Sequence, residues 1–588
     1  MLPLNRSWIL PEARLPAASE LLAEGRQLAK TVRVGPCPFL SEFGVRSEAE
    51  YKRRRMDENA IMLHAHVGYR SAEKTRRAFA EIHERLASAG YRVDRYGICL
   101  DWSMGYPAAK RAAMPRGTGL ILDGPDEFVR LTHCAPVAPH FGDFVFGTPA
   151  ALENTVAALQ AGATAIGNLG QYFTFRMPRW NDDVGTTAET VRAMALCAAQ
   201  PVEVLIHSNL DDGFASLFCE LACGIGAALR ERHIVEDLIG GRVTHCYGHT
   251  FSDPLTRLAF QRALGRVSPA PGSMVFGNTT IYVASEVENY ANLASYLLPD
   301  ILAQRSNPTG HALNPVPVTE AMRIPEIDEI VAAHLFANRL IQRAEGFLPM
   351  LDLAKAEAIA DRLVVGGQAF QQRVLKGLEE AGIGITDPFE LMLAIRRIGA
   401  RRLEELFGPG EPREGALRNR VPVVGATTMT ELKDQADAIV AALDPAERSA
   451  LGQSGLKACV TCTDVHEYGK ILVETVLQGV GISVADAGVS SDPDQVAIQA
   501  KSIGADFISI STHNGIAYGY LKTLKGEMAR MGLDVPIFIG GRLNQIPEDS
   551  LDSLPLDVSE AVAALGATVC LGIEDMLAAL SRRIRAGS

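Results

Sequence analysis

Short β-prone runs alternate with amphipathic helical stretches through most of this 588-residue chain, in two separate blocks. That alternation constrains the fold more than any other feature. Consecutive parallel strands need a crossover of a dozen or more residues, and a helix is the usual one. In the first block the strand candidates are Ile61–Val67, Tyr91–Leu100, Phe144–Phe146, Ala163–Ile166, Val202–Ile206, Val243–Tyr247 and Met274–Phe276, with helices such as Ser71–Ala89 and Thr187–Ala199 between them. So many units in a row predict closure into a (β/α)8 TIM barrel. Many of these runs end in Gly, Asn, His or Thr, at the carboxyl ends where such barrels place their chemistry.

Residues 321–407 read as a helical extension of that barrel, and residues 1–58 as a helical extension before it, leaving 59–320 for the barrel itself. The glycine- and proline-rich stretch Gly408–Gly415 then opens a linker region expected to cover 408–452. Residues 453–588 hold the second block: strands at Leu456–Thr461, Ile482–Ala487, Phe507–Ser511, Ile537–Ile539 and Ala567–Leu571, with helices at Tyr468–Gln478, Pro493–Ile503, Ile516–Met531 and Ile573–Ile584. Five βα units in so short a span predict a flavodoxin-like, doubly wound sheet.

Acidic residues outnumber basic ones, 69 to 57, so the chain is not built to neutralise phosphates and nucleic acid is not an expected partner. No apolar run is long enough to cross a bilayer, and the first residues lack a signal-peptide core, so no membrane partner and a cytoplasmic location are expected. The pair Cys459/Cys462 has redox or zinc spacing, but no second pair completes a site, and both are expected to be core thiols.

At the carboxyl end of the first strand of the second block stands Asp464-Val-His466-Glu-Tyr-Gly469. Ser511-Thr512-His513-Asn514-Gly515 follows the third strand and Gly540-Gly541 the fourth, which brings all three segments to one edge of a doubly wound sheet. This combination resembles the cobalamin-binding domain of methionine synthase, methylmalonyl-CoA mutase and glutamate mutase. The resemblance implies that His466 is the lower ligand of the cobalt and that Asp464 hydrogen-bonds its other ring nitrogen. It implies further that Gly469 leaves room for the nucleotide tail, that Ser511 meets the displaced base, and that Thr512, Gly515, Gly540 and Gly541 line the same pocket. His513 departs from the family, which often carries an aliphatic residue there.

The barrel resembles the catalytic subunit of glutamate mutase, through Gly147-Thr-Pro149, Asn168-Leu-Gly170, Val243–Gly248 with Leu258–Ala263, and Val316–Ala321. The fusion implies adenosylcobalamin as cofactor and a carbon-skeleton mutase as activity, and it is compatible with a homodimer. The family's three arginines and glutamate, which grip a dicarboxylic amino acid, fall at His66, near Gly105, at Val145 and at Leu169, and two tyrosines of its substrate loop align with Phe175 and Arg179. None of these can reproduce a bidentate arginine grip, so a small-molecule substrate other than glutamate, an organic acid, is expected. Asn168, Phe175, Arg176 and Arg179 are the candidate substrate-binding residues, and His66, Asp101, His207 and His249 the candidate catalytic groups. His64 and His66 alternate onto one face of a strand without a carboxylate nearby in sequence, which gives no metal site beyond the cobalt. The alternatives are a corrinoid methyltransferase and a cobalamin-binding sensor or carrier.

Overall fold

The computed structural model describes residues 4–117, 119–248, 250–277, 281–320, 322–414, 416–463, 467–513, 515–547 and 555–587. The chain divides into two compact units, Met1–Thr174 with Asp182–Thr428, and Phe175–Asn181 with Met429–Ser588.

In the first unit eight parallel strands run as β1 (Met62–Val67), β2 (Arg95–Ile98), β3 (Ala138–Phe141), β4 (Ala165–Ile166), β5 (Leu205–Asn209), β6 (Arg242–Tyr247), β7 (Met274–Val275) and β8 (Ala312–Leu313). Their order is β7-β6-β5-β4-β3-β2-β1-β8, with Met62 and Leu63 of β1 paired to Ala312 and Leu313 of β8, a nearly closed TIM barrel. The outer helices present periodic apolar faces. In Ala72–Ser88, the buried Thr75, Ala78, Phe79, Ile82 and Leu86 fall on one stripe, and Phe79 stacks on Tyr96 of β2 with ring centroids 4.2 Å apart.

Two strands differ from expectation. Phe144–Phe146 is not a strand: Phe144 has φ 56°, outside any extended conformation. The third strand lies earlier, at Ala138–Phe141, where Pro139 and His140 break the apolar pattern by which a buried strand is recognised. The eighth strand, unexpected from sequence, is a two-residue element.

The amino ends of the strands are sealed by charge. The helix Glu48–Asp57 precedes β1 and carries Glu48 and Lys52, both buried; Glu48 Oε1 lies 2.8 Å from Lys52 Nζ and 3.0 Å from Nε of the equally buried Arg95. Burial pushes the Glu48 carboxyl up, but Lys52 and Arg95 outweigh it and hold it below the usual carboxylate range. Burial brings the Lys52 ammonium down to about 8 against the pull of Glu48.

The residues between the barrel and the second sheet, expected to form a linker, include the helices Thr427–Ala442 and Pro445–Gln453. In the second unit five parallel strands, β9 (Lys457–Cys462), β10 (Ser483–Val489), β11 (Phe507–Thr512), β12 (Ile537–Gly541) and β13 (Thr568–Cys570), lie in the order β10-β9-β11-β12-β13, the flavodoxin-like arrangement. One face buries Val460, Phe507, Phe538 and Leu577; the other buries Cys459, Ile508, Ile539 and Leu521. Both faces are covered, which is why these strands read as near-continuous apolar runs. Cys459 and Cys462 are both buried within β9. Among the described residues, no helix is long and apolar enough to cross a membrane.

Replacing Glu48 by Gln strands two buried cations and is expected to lower barrel stability by about 3–5 kcal/mol, read as a lower urea midpoint. An unchanged midpoint would show that water reaches the cluster.

Candidate functional site

Two sets of strand ends carry polar side chains. In the barrel, the carboxyl ends of all eight strands wall a cavity of about 220 Å³. His66 from β1, His140 with Gly142 and Asp143 after β3, Asn168 after β4, His207, Asn209 and Asp212 from β5 and its loop, and Asn314 and Glu320 after β8 contribute its polar groups.

The histidines enter because their neighbours are glycine. His66 is in register with Gly97 of β2, and a Cβ at 97 would fall 2.5 Å from His66 Nε2 and 2.7 Å from His64 Nε2. His64 and His66 therefore share a face, with ring centroids 4.7 Å apart, and His140 and His207 meet edge-on at the same spacing. Among the described residues no group of three His, Cys, Asp or Glu is placed to hold a metal ion. His140 Nδ1 lies 3.0 Å from the Ala165 carbonyl oxygen, so it carries the ring proton and leaves Nε2 as an acceptor. His207 Nδ1 lies 3.3 Å from Thr244 Oγ1, and His66 Nδ1 3.6 Å from Cys99 Sγ. Burial, reinforced by Arg95, pushes His140 and His207 well below the ordinary imidazole value, so both are neutral, and the same causes lower His66, whose side chain is open to the cavity.

Asp143 moves the opposite way. Burial first, and then the charge of Asp212, raises its carboxyl to about 7, against hydrogen bonds from Cys99 and Asn168. Gln171 Nε2 also donates to its Oδ1 at 3.1 Å.

Of the residues singled out from sequence, His66, His207 and Asn168 line this cavity. Asp101 does not: its carboxylate accepts from the backbone N–H groups of Ser103, Gly117 and Gly119 at 2.8–3.0 Å and holds a turn. His249 lies outside the described residues. Phe175, Arg176 and Arg179 are not on the wall; they group with the second unit, where the Arg179 N–H donates to Asp492 Oδ2 at 2.7 Å. Gly105, Val145 and Leu169, aligned with the family's substrate-gripping residues, are buried away from the cavity. Sequence reasoning missed His140, Asp143, Asp212, Asn314 and Glu320. For the first two the cause is local, since a strand interrupted by Pro139 hides its own end. Among the described residues no Lys or Arg lines the cavity, so this wall offers the expected organic acid no ion pair.

In the second unit the ends of β9, β11 and β12 converge. Ser511 is in register with Gly540, and Thr512 with Gly541. The Thr463 N–H donates to the Ser511 carbonyl at 3.0 Å, and Thr463 Oγ1 to Thr512 Oγ1 at 3.1 Å. Gly469, in the first turn of the helix Tyr468–Gly479, faces Ser511: a Cβ there would lie 2.7 Å from Ser511 Oγ. Gly541, at φ 95°, takes a backbone conformation that a side chain would strain, and its Cβ would collide with the Thr512 carbonyl. Gly515, at φ 71°, packs against Ile546, whose N–H donates back to the Gly515 carbonyl at 2.9 Å. Buried Lys470 bridges Glu474 at 2.8 Å and Asp486 at 2.7 Å and ties the start of the helix to β10. Asp464 and His466 lie outside the described residues. The glycine-lined edge above the sheet is the feature a bulky, flat cofactor with a nucleotide tail requires.

Residues 458–568 match the model of the B12 binding domain, so this chain carries a cobalamin-binding domain. Over 81 residues, 14% of this chain, it is 32% identical to glutamate mutase sigma subunit 1 of Haloarcula marismortui, and it spans about half (54%) of that relative's length. A solved cobalamin-binding protein from Desulfitobacterium hafniense DCB-2 is 18% identical, over 26% of this chain and 70% of that one, at a TM-score of 0.20, too low to carry an argument.

Two outcomes are expected. Gly469→Leu drives a side chain into Ser511 and should abolish retention of added cobalamin, followed by absorbance after gel filtration, with far-UV circular dichroism unchanged. Asp143→Asn removes a carboxyl whose raised value makes the fold lose stability as pH climbs from about 4 through 7. The variant should therefore gain thermal stability over the parent at pH 8 and little at pH 4, measured by calorimetry.

Proposed function

We propose that this chain is an adenosylcobalamin-dependent carbon-skeleton mutase acting on a small molecule other than glutamate. One observation carries the reading: a B12 binding domain shares its chain with a TIM barrel whose eight strand ends wall a cavity without a single arginine among the described residues. The partial likeness to a glutamate mutase sigma subunit supports the reaction class, and the missing arginines support a different substrate. When bound, adenosylcobalamin would supply the radical chemistry that a carbon-skeleton rearrangement needs. By the Asp464-Val-His466-Glu-Tyr-Gly469 motif, His466 would ligate the cobalt and Asp464 would fix its tautomer. Gly469, Ser511, Thr512, Gly515, Gly540 and Gly541 would make room for the nucleotide tail. In the barrel, the carboxylate and imidazole groups of the cavity orient substrate and keep water from the reacting carbon.

The test uses the full chain loaded with adenosylcobalamin and supplied with a soluble metabolite extract. Release of 5′-deoxyadenosine, with added glutamate left unconsumed, is the expected result. Methyl transfer from methylcobalamin to a thiol instead would place the protein among corrinoid methyltransferases. His466→Ala should weaken cobalamin binding by about 10–100-fold and remove the base-off spectrum; an unchanged spectrum would overturn the ligand assignment.

A further inference from the structure

The barrel cavity is unbalanced in hydrogen-bonding capacity. Among the described residues its wall carries the carboxyl groups of Asp143, Asp212 and Glu320 and no cationic side chain. His140 and His207 do not redress this, since burial keeps them neutral. His140 is 2% exposed, and its Nδ1 is committed to the Ala165 carbonyl, which leaves Nε2 a lone-pair acceptor. Among the described residues none donates to that nitrogen, which lies beside Gly142, where a Cβ would approach it to 3.0 Å, and both residues are on the cavity wall. An acceptor that opens only onto this cavity takes its donor from whatever fills the space. The carboxyl of Asp143 already accepts from Gln171, so what it lacks is not a donor but a countercharge. Burial and the charge of Asp212 together resist ionisation of Asp143, and a cation placed between the two relieves both effects.

We propose that this cavity is a cation site that takes the protonated amine of the substrate, with the Asp143 and Asp212 carboxylates and His140 Nε2 as its acceptors. An alkylammonium has three donors and no acceptor, the complement of this wall. A carboxylate ligand would meet negative charge and a lone pair, with no arginine to receive it; a neutral alcohol would satisfy the acceptors but leave the charge uncompensated. The inference rests on the mutase reading only in calling the bound amine a substrate.

Three four-carbon probes separate the possibilities: 1,4-diaminobutane, butane-1,4-diol and succinate, each titrated calorimetrically into the full chain with and without bound cobalamin. The diamine is expected to bind at least tenfold more tightly than the diol or succinate. Asp212→Asn and Asp143→Asn should each weaken it at least tenfold while cobalamin retention stays unchanged. Succinate binding as tightly as the diamine, or diamine binding indifferent to both substitutions, would overturn the cation site. Loss of amine selectivity with cobalamin still bound would leave the mutase reading standing. Amine selectivity in a protein that takes up no cobalamin would refute that reading and leave the cation site intact.

Discussion

The cationic pair at the amino ends of the barrel strands, Arg95 and Lys52 flanking Glu48, reinforces what burial does to the histidines above it. One carboxylate between two buried cations leaves a net positive charge beneath the histidine-rich interior. Its field adds to burial in holding His140 and His207 neutral. Neutral imidazoles can pack edge to face 4.7 Å apart and offer lone pairs upward, which charged ones could not do without strong mutual repulsion. The ion cluster thus acts on the barrel mouth through its field alone, second to burial.

The two units solve the same problem with different materials. In each, parallel strands stop at one edge and the groups beyond their carboxyl ends form the site. In each, glycine sets what can enter. Gly97 yields space to two imidazole rings, and Gly469 yields the space in front of Ser511. The barrel site is rich in acceptors and acidic; the edge of the second sheet is mostly backbone, hydroxyl and glycine. The first suits a small polar substrate held by charge, the second a large cofactor held by shape.

The strands of the second sheet were legible because each is buried on both faces, and a run such as Phe507-Ile-Ser-Ile has few other readings. The barrel was legible as a repeat but not in every strand. Pro139 and His140 disguise β3, and β8 has only two residues, too few to show a period. Among candidate residues, His66 and His207 stood at ends of recognisable strands and do line the cavity. Asp101 stood at such an end too, yet three backbone N–H groups claim its carboxylate, a use that depends on loop residues folding back onto it.

By itself the sequence determined the succession of βα units, their grouping into a barrel and a doubly wound sheet, and the motif that marks the cobalamin-binding domain. Those features are local, written in apolar periodicity and in short strings of glycine and polar residues. Only the tertiary structure decided the character of the barrel cavity. Asp143, Asp212 and Glu320 come from loops after three different strands, and no periodicity records that closing the sheet carries them to one wall. Their charge becomes consequential only there, where they share one wall and no cationic side chain among the described residues lines it.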